Sequence, residues 1–300
     1  MSTLHRPLGS LTDGVDPVRL GPDDAGWTWT GLRVLRLEPG VERSMATGEF
    51  EMCVLPLSGS VVVTADGHRM ELEGRTSVFA RVTDFAYVGR DTDLCLLSAE
   101  GGEFALPMAK ATRRLEPRYG PVDGVSVEVR GAGPATRQVT NFMTPDTWDH
   151  ADQLMCCELL TPDGNWSSYP PHKHDESPEC EVNNEEIYYF RIGRAGSVDY
   201  TDDGFGMHRT YTADGTIDEN VVVHDGDTFL VPRGYHGPCI AAPGYTMYYL
   251  NVLAGPGGHR SMAFCDDPTH HWVRDEWEGM ALDPRCPLTS ARGVVQGEAR

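Results

Sequence analysis

The feature that most restricts this chain is a short unit that it carries twice. Gly59-Ser-Val-Val-Val-Thr-Ala-Asp-Gly67 and Gly196-Ser-Val-Asp-Tyr-Thr-Asp-Asp-Gly204 share six of nine residues. A strand-and-turn unit repeated so far apart asks for two halves built on one plan. The surrounding sequence suits strands as well. Leu32-Arg-Val-Leu-Arg-Leu37, Cys53-Val-Leu-Pro-Leu57, Ser60-Val-Val-Val63 and Ser77-Val-Phe-Ala80 are short apolar or alternating runs between turn signals. With 33 Gly and 21 Pro the 300-residue chain is interrupted too often for long helices. The expected class is all-β in two domains. A second alignment, Gly74–Arg81 with Gly226–Arg233, sets Asp84 opposite His236.

Between about residues 109 and 139 the composition turns polar and Gly/Pro-rich, as a crossing between domains does. The expected division is 1–135 for the first domain and its crossing segment, 136–254 for the second, and 255–300 for an extension packed on them. Acidic residues outnumber basic ones 45 to 25, a formal charge of −20. Such a field repels nucleic acid and anionic membranes, so neither is an expected partner. An anionic small molecule would need a local cluster of Arg or Lys. Eight cysteines form no C-x-x-C and no regular spacing, which predicts reduced thiols. The N-terminus has no apolar leader and the chain no long apolar run, so the expected location is the cytoplasm. A homo-oligomer is compatible with the chain.

The stretch Pro170–Gly193 carries the chemistry. In an extended strand residues two apart point the same way, so His172 and His174 present two imidazoles on one face while Lys173 faces the other. Glu186 opens the run Ile187-Tyr-Tyr-Phe190 and supplies a carboxylate. Glu179, Glu181 and Glu185 compete with it. Glu186 is favoured by its six-residue spacing to Gly193, and Glu185 points to the opposite face. A further imidazole comes from His236, just past the turn that ends Gly226-Asp-Thr-Phe-Leu-Val-Pro232-Arg-Gly234.

These spacings resemble the two cupin motifs: Glu186-x6-Gly193 closes the first, and Gly-x5-Pro-x-Gly-x-His236 is like the second. Eleven residues separate His174 from Glu186, more than the motif usually has, so a loop is inserted there. The first half has no His-x-His, and between His5 and His68 no histidine at all. Glu49 or Glu51 lies near the place of Glu186 and is expected to be solvated. One divalent metal ion per chain is therefore predicted, held in the second half. Three imidazoles and one carboxylate leave positions for substrate, and suit Zn, Mn, Fe, Ni or Co.

The longer wording resembles one family closely. Asn165-Trp-Ser-Ser-Tyr-Pro-Pro-His172-Lys-His174-Asp, Glu185-Glu-Ile-Tyr-Tyr-Phe-Arg191, Pro232-Arg-Gly-Tyr-His236, Tyr248-Tyr-Leu-Asn-Val252 and Asp267-Pro-Thr-His-His-Trp272 look like the 5-deoxy-glucuronate isomerases of myo-inositol catabolism. That family is related to 5-keto-4-deoxyuronate isomerase. The resemblance implies a bicupin, two cupin β-barrels (double-stranded β-helices), with His172, His174, Glu186 and His236 as metal ligands. It implies conversion of the sugar acid 5-deoxy-glucuronate, an aldose, to the ketose 2-deoxy-5-keto-gluconate. A metal suits that chemistry, because moving a carbonyl from C1 to C2 builds negative charge on two neighbouring oxygens. Tyr249, Tyr188 and Glu181 are the candidate proton carriers. Arg191, Arg194, Arg233 and Arg137 are the candidate anchors for the substrate carboxylate. A cupin-type Fe(II) dioxygenase and a non-catalytic sugar-acid-binding cupin are the alternatives.

Overall fold

Strand parity decides what each side chain of this chain can reach. The computed structural model describes residues 4–176 and 179–295. It is built from antiparallel strands, and its α-helices among the described residues are single turns, Pro22–Ala25 and Val273–Glu276. No helix is long and apolar enough to cross a membrane. One large sheet runs Phe85–Val88, Phe50–Ala65, Gly102–Lys110, Thr30–Leu37 and Val18–Leu20. The other runs Thr228–Val231, Glu185–Arg194, Tyr245–Ala254, Met155–Thr161, Arg137–Met143 and Ser126–Arg130. The two follow one strand order, but the repeated nonapeptide is not what carries it: residues 59–65 lie on the strand Phe50–Ala65, whereas residues 196–204 form a loop between Glu185–Arg194 and Gly206–Tyr211. Ser126–Arg130, in the expected crossing segment, extends the second sheet, and His5–Arg6 crosses over to pair with Thr228–Val231.

The central strands are apolar on both faces because both faces are covered. Cys53, Leu55 and Leu57 join Ile187, Tyr189, Leu250 and Val252 in one core between the two sheets. The alternate residues Met52 and Val54 belong to a core inside the first half, and Tyr188, Phe190 and Ile192 to a core inside the second. Fully burying such a side chain contributes about 1.5–3 kcal/mol. A register slip of one residue would exchange the two cores, which pins the register.

The same parity fixes two carboxylates. Glu185 faces the first half and accepts hydrogen bonds from the backbone N–H groups of Thr28, Trp29 and Thr30 at 2.8, 2.8 and 3.0 Å. Glu51 does the reciprocal thing. Its carboxylate accepts from the N–H groups of Asp152, Gln153 and Leu154 at 2.8, 2.5 and 2.6 Å and from the Tyr87 hydroxyl at 2.6 Å. Glu51 is 0% exposed, a correction to the expectation of a solvated group. It answers to Glu185, not to Glu186. Met52 pairs with Val88 as Glu186 pairs with Val231, so a thioether stands where the second half has its inward carboxylate.

The alignment of Gly74–Arg81 with Gly226–Arg233 does not hold. Residues 78–80 form a turn, and the strand in the place of Thr228–Val231 is Phe85–Val88. Val78 and Phe79 are apolar because the turn buries them between the sheets. Asp84 consequently stands before that strand, accepting from the N–H groups of Glu73 and Gly74. Its carboxylate also accepts from the Tyr119 hydroxyl at 2.9 Å, so it is committed to structural hydrogen bonds. The segment after Ala254 returns over the second half, where Cys265–Asp266 pairs with His172–Lys173 and Thr289 meets the Gln138 amide.

Removing either clamp leaves three backbone donors without their acceptor. Glu51→Ala is expected to lower stability by about 3 kcal/mol, and Glu185→Ala by less, because Glu185 is only partly buried. Denaturant titration checks both, with bound metal retained in each variant.

Candidate metal centre

His172, on the two-residue strand His172–Lys173, lies directly across from His236 on Tyr235–Ala241. Glu186 is the second residue of Glu185–Arg194, with inward parity. His174 Nε2 is 2.9 Å from Glu186 Oε2, and His236 Nε2 is 3.1 Å from the same oxygen. The donor atoms of His174, Glu186 and His236 lie within 4.8 Å of one another. The His172 ring packs against that of His236, with centroids 4.5 Å apart.

The backbone assigns the tautomers. Nδ1 of His172, His174 and His236 faces the carbonyl oxygens of Pro170, Asn184 and Gly234 at 3.2, 3.0 and 3.4 Å. A carbonyl only accepts, so each Nδ1 carries the hydrogen and each Nε2 keeps its lone pair. His236 Nε2 is buried with no hydrogen-bond partner. Lone pairs gathered on a carboxylate repel it unless a cation stands among them, and backbone carbonyls behind imidazoles are the usual support of metal-ligating histidines. Burial, then the charge of His236, push the His172 pKa well down, leaving the neutral form that binds metal. Burial also opposes charge on Glu186, but positive charge carried on His236 and His174 outweighs it and holds the carboxyl well below its usual range, and a bound cation would supply that positive charge to neutral rings. The Asn251 side-chain N–H donates to Glu186 Oε1 at 2.5 Å, which fixes the carboxylate with Oε2 toward the imidazoles. The donor set fits a divalent cation.

The rival acids are elsewhere. Lys173 faces away, and its ammonium gathers Asp175, Glu176 and Glu181 at 2.8, 3.0 and 2.8 Å. Glu181, expected near the reacting carbons, is thus committed to a cluster whose cation is already a lysine. Glu179 is exposed. Cys180 and Cys265 are disulfide-bonded, which corrects the expectation of reduced thiols at these two positions. The bond ties the loop inserted after His174 to the returning C-terminal segment. The pairing of Lys173 with Cys265 and the hydrogen bond from Val182 N–H to the Ala263 carbonyl bring these distant cysteines together, and no spacing in the sequence announces it.

The site opens on a cavity of about 850 Å³ lined by His172, His174, Glu186, Tyr188, Ser168 and Asn251. The Tyr249 hydroxyl meets Ser167 Oγ at 2.5 Å and Ser168 Oγ at 3.0 Å, and Tyr188 reaches Ser168 at 3.3 Å. Of the four arginines chosen from the sequence, only Arg137 lines this cavity. Arg191 is held between the halves by Glu103 and Asp225, Arg194 is exposed beside Asp203, and Arg233 is exposed beside Thr216. Arg191 was misplaced because it follows Phe190 on the strand and so turns to the face away from the metal. Arg130, Arg260 and Arg274 line the cavity instead and were missed. Asn251 was missed too, although a lone amide at inward parity in the apolar strand Tyr245–Ala254 was a signal.

A family model described as the KduI/IolB family matches residues 5–273. The chain is 39% identical over 278 residues to the 5-deoxy-glucuronate isomerase of Geobacillus kaustophilus, covering 92% of this chain and 96% of that one. It is 35% identical over 276 residues to the 5-deoxy-glucuronate isomerase of Bacillus subtilis, covering 90% and 97%. Among solved structures, an IolB-like protein from Salmonella typhimurium superposes with a TM-score of 0.83 at 30% identity, over 91% of this chain and all of that one. A Bacillus subtilis oxalate decarboxylase superposes with a TM-score of 0.62 at 10% identity, over 89% and 80%, a likeness of fold alone.

His236→Ala and Glu186→Gln are expected to strip bound metal, whereas Glu181→Gln keeps it. Asn251→Leu is expected to weaken metal binding about 10- to 100-fold. Elemental analysis of the purified variants by mass spectrometry, with competitive chelator titration for Asn251→Leu, reads all of these.

Proposed function

The chain belongs to the KduI/IolB family, and from that premise we propose that it is a metal-dependent 5-deoxy-glucuronate isomerase, making 2-deoxy-5-keto-gluconate. The observation that carries the proposal is the convergence of imidazole lone pairs on one oriented carboxylate, in a cavity that also holds arginines. The reaction is internally balanced: C1 is reduced, C2 is oxidised, and the C2 hydrogen moves without an outside oxidant. His172, His174, Glu186 and His236 would hold a divalent cation, which when bound would supply positive charge where negative charge develops on the substrate oxygens.

The chain's own residues manage orientation and protons. Burial raises the pKa of the Tyr188 and Tyr249 phenols, so both are protonated at neutral pH and act as donors rather than bases. Tyr188 lines the cavity and donates toward the substrate oxygens. Tyr249 stands behind Ser168 and fixes its hydroxyl. Ser168 takes a φ of 47°, a costly conformation for a non-glycine residue, which aims its side chain between the two phenols. The Phe264 ring lies 4.6 Å from that of His172 and lines the same cavity.

On this reading the two halves are cupin barrels and the chain is a bicupin, with metal in the second only. The common strand order supports it. In the first half the paired strands Glu42–Ala46 and Asp93–Leu97 turn Met45, Leu94 and Leu96 toward the core that holds Met52, where the second half turns imidazoles toward Glu186. With Met52 in the place of Glu186, the first half has lost the whole donor set.

Purified protein is expected to isomerise 5-deoxy-glucuronate, to lose activity with a chelator and to regain it with an added divalent metal. Tyr188→Phe is expected to lower kcat about 100-fold with metal content unchanged. Absence of turnover in the metal-loaded protein, with stoichiometric binding of the sugar acid, would overturn the enzymatic reading.

A further inference from the structure

We infer that Arg137 seats the substrate carboxylate, with Arg130 beside it as a second positive charge, so that the sugar acid lies with its acid end on the Ser126–Met143 hairpin and its carbonyl end toward His172, His174, Glu186 and His236. This deepens the isomerase reading and rests on it. Arg130 and Arg137 are direct cross-strand partners at the closing end of that hairpin, and both line the cavity. Like charges placed opposite one another destabilise a sheet unless something negative joins them.

The cavity arginines differ in what they have left to give. Arg130 is engaged by Glu128, with Nε and Nη2 3.2 and 2.8 Å from its oxygens. Arg274 holds Asp266 with two nitrogens. Arg260 spends Nε, Nη1 and Nη2 on the carbonyls of Leu154, Trp148 and Met143. Arg137 is different. It is 5% exposed, its Nη1 donates to the Ala135 carbonyl at 3.1 Å, and its buried Nε has no hydrogen-bond partner. No carboxylate among the described residues forms an ion pair with it. Burial, with the charges of Arg130 and Arg274, pulls its pKa down to about 10, so the group remains charged at neutral pH.

A buried guanidinium without a counter-ion is destabilising. A substrate carboxylate would supply the missing charge and accept the planar, two-pronged donation that an ammonium cannot give. The chain's formal charge of −20 makes such a local cation necessary for an acid to enter. Fixing the acid end also sets which carbons reach the metal donors, an orientation effect on rate as well as affinity.

The test uses full-length, metal-loaded protein and two probes, D-glucuronate and the uncharged D-glucose, titrated calorimetrically into wild type, Arg137→Met, Arg137→Lys and Arg130→Met, with metal content measured on each. Wild type is expected to prefer glucuronate about 100-fold. Arg137→Met is expected to lose most of that preference, Arg137→Lys to keep a fraction, and Arg130→Met to lose about 10-fold, all with wild-type metal content. Arg137→Met retaining the full preference overturns the inference, as does a wild type that binds both sugars equally or neither. Should Arg137→Met lose its metal or fail to fold, Arg137→Lys decides: a wild-type preference there counts against the inference. A preference that depends on Arg137, in a protein that does not turn over 5-deoxy-glucuronate, sinks the isomerase reading and leaves the carboxylate seat standing.

Discussion

One carboxylate oxygen, Glu186 Oε2, is the point on which the second half is organised. It lies 2.9 and 3.1 Å from two imidazole nitrogens whose far sides are occupied by backbone carbonyls. That arrangement is unfavourable for neutral rings and a bare carboxylate, and becomes favourable once a cation is shared among them. The amide N–H of Asn251 and the carbonyls of Pro170, Asn184 and Gly234 hold these groups in their unfavourable pose. A site prepared at that cost is ready before its ion arrives, and the proposed chemistry needs such fixed charge where negative charge develops.

The first half makes the second possible without sharing its chemistry. Glu51 and Glu185 are the same residue of a repeated plan, each reaching across to three successive backbone N–H groups of the other half. These reciprocal clamps, with the shared apolar layer between the sheets, hold the start of the Glu185–Arg194 strand. Glu186 is the next residue along that strand, so the clamp on one face and the proposed metal donor on the other are placed by a single backbone segment.

Much of this was legible in the sequence, for identifiable reasons. His172, His174 and His236 could be singled out because strand parity and turn spacing are local properties, and Glu186 could be preferred to Glu185 by its six-residue spacing to Gly193 together with parity. Glu181 could not be removed that way, since its place in the Lys173 cluster depends on how an inserted loop folds back. The arginines failed for a similar reason. Arg191, Arg194 and Arg233 were near the motifs in sequence, but the cavity is walled on that side by the Ser126–Met143 hairpin, which arrives from far upstream. The same distance hid the Cys180–Cys265 bond. The burial of Glu51 was hidden by a tempting analogy, because a carboxylate one residue out of register looks like a remnant ligand until the pairing of Met52 with Val88 is known.

The most direct measurement of the central claim is X-ray absorption at the metal edge of the purified protein, together with its metal stoichiometry. The account predicts about one divalent ion per chain in a first coordination shell of nitrogen and oxygen, with the outer scattering of histidine rings. A protein that carries no metal above trace level, or an ion whose nearest neighbours include sulfur from Cys157 or Cys239, would contradict it.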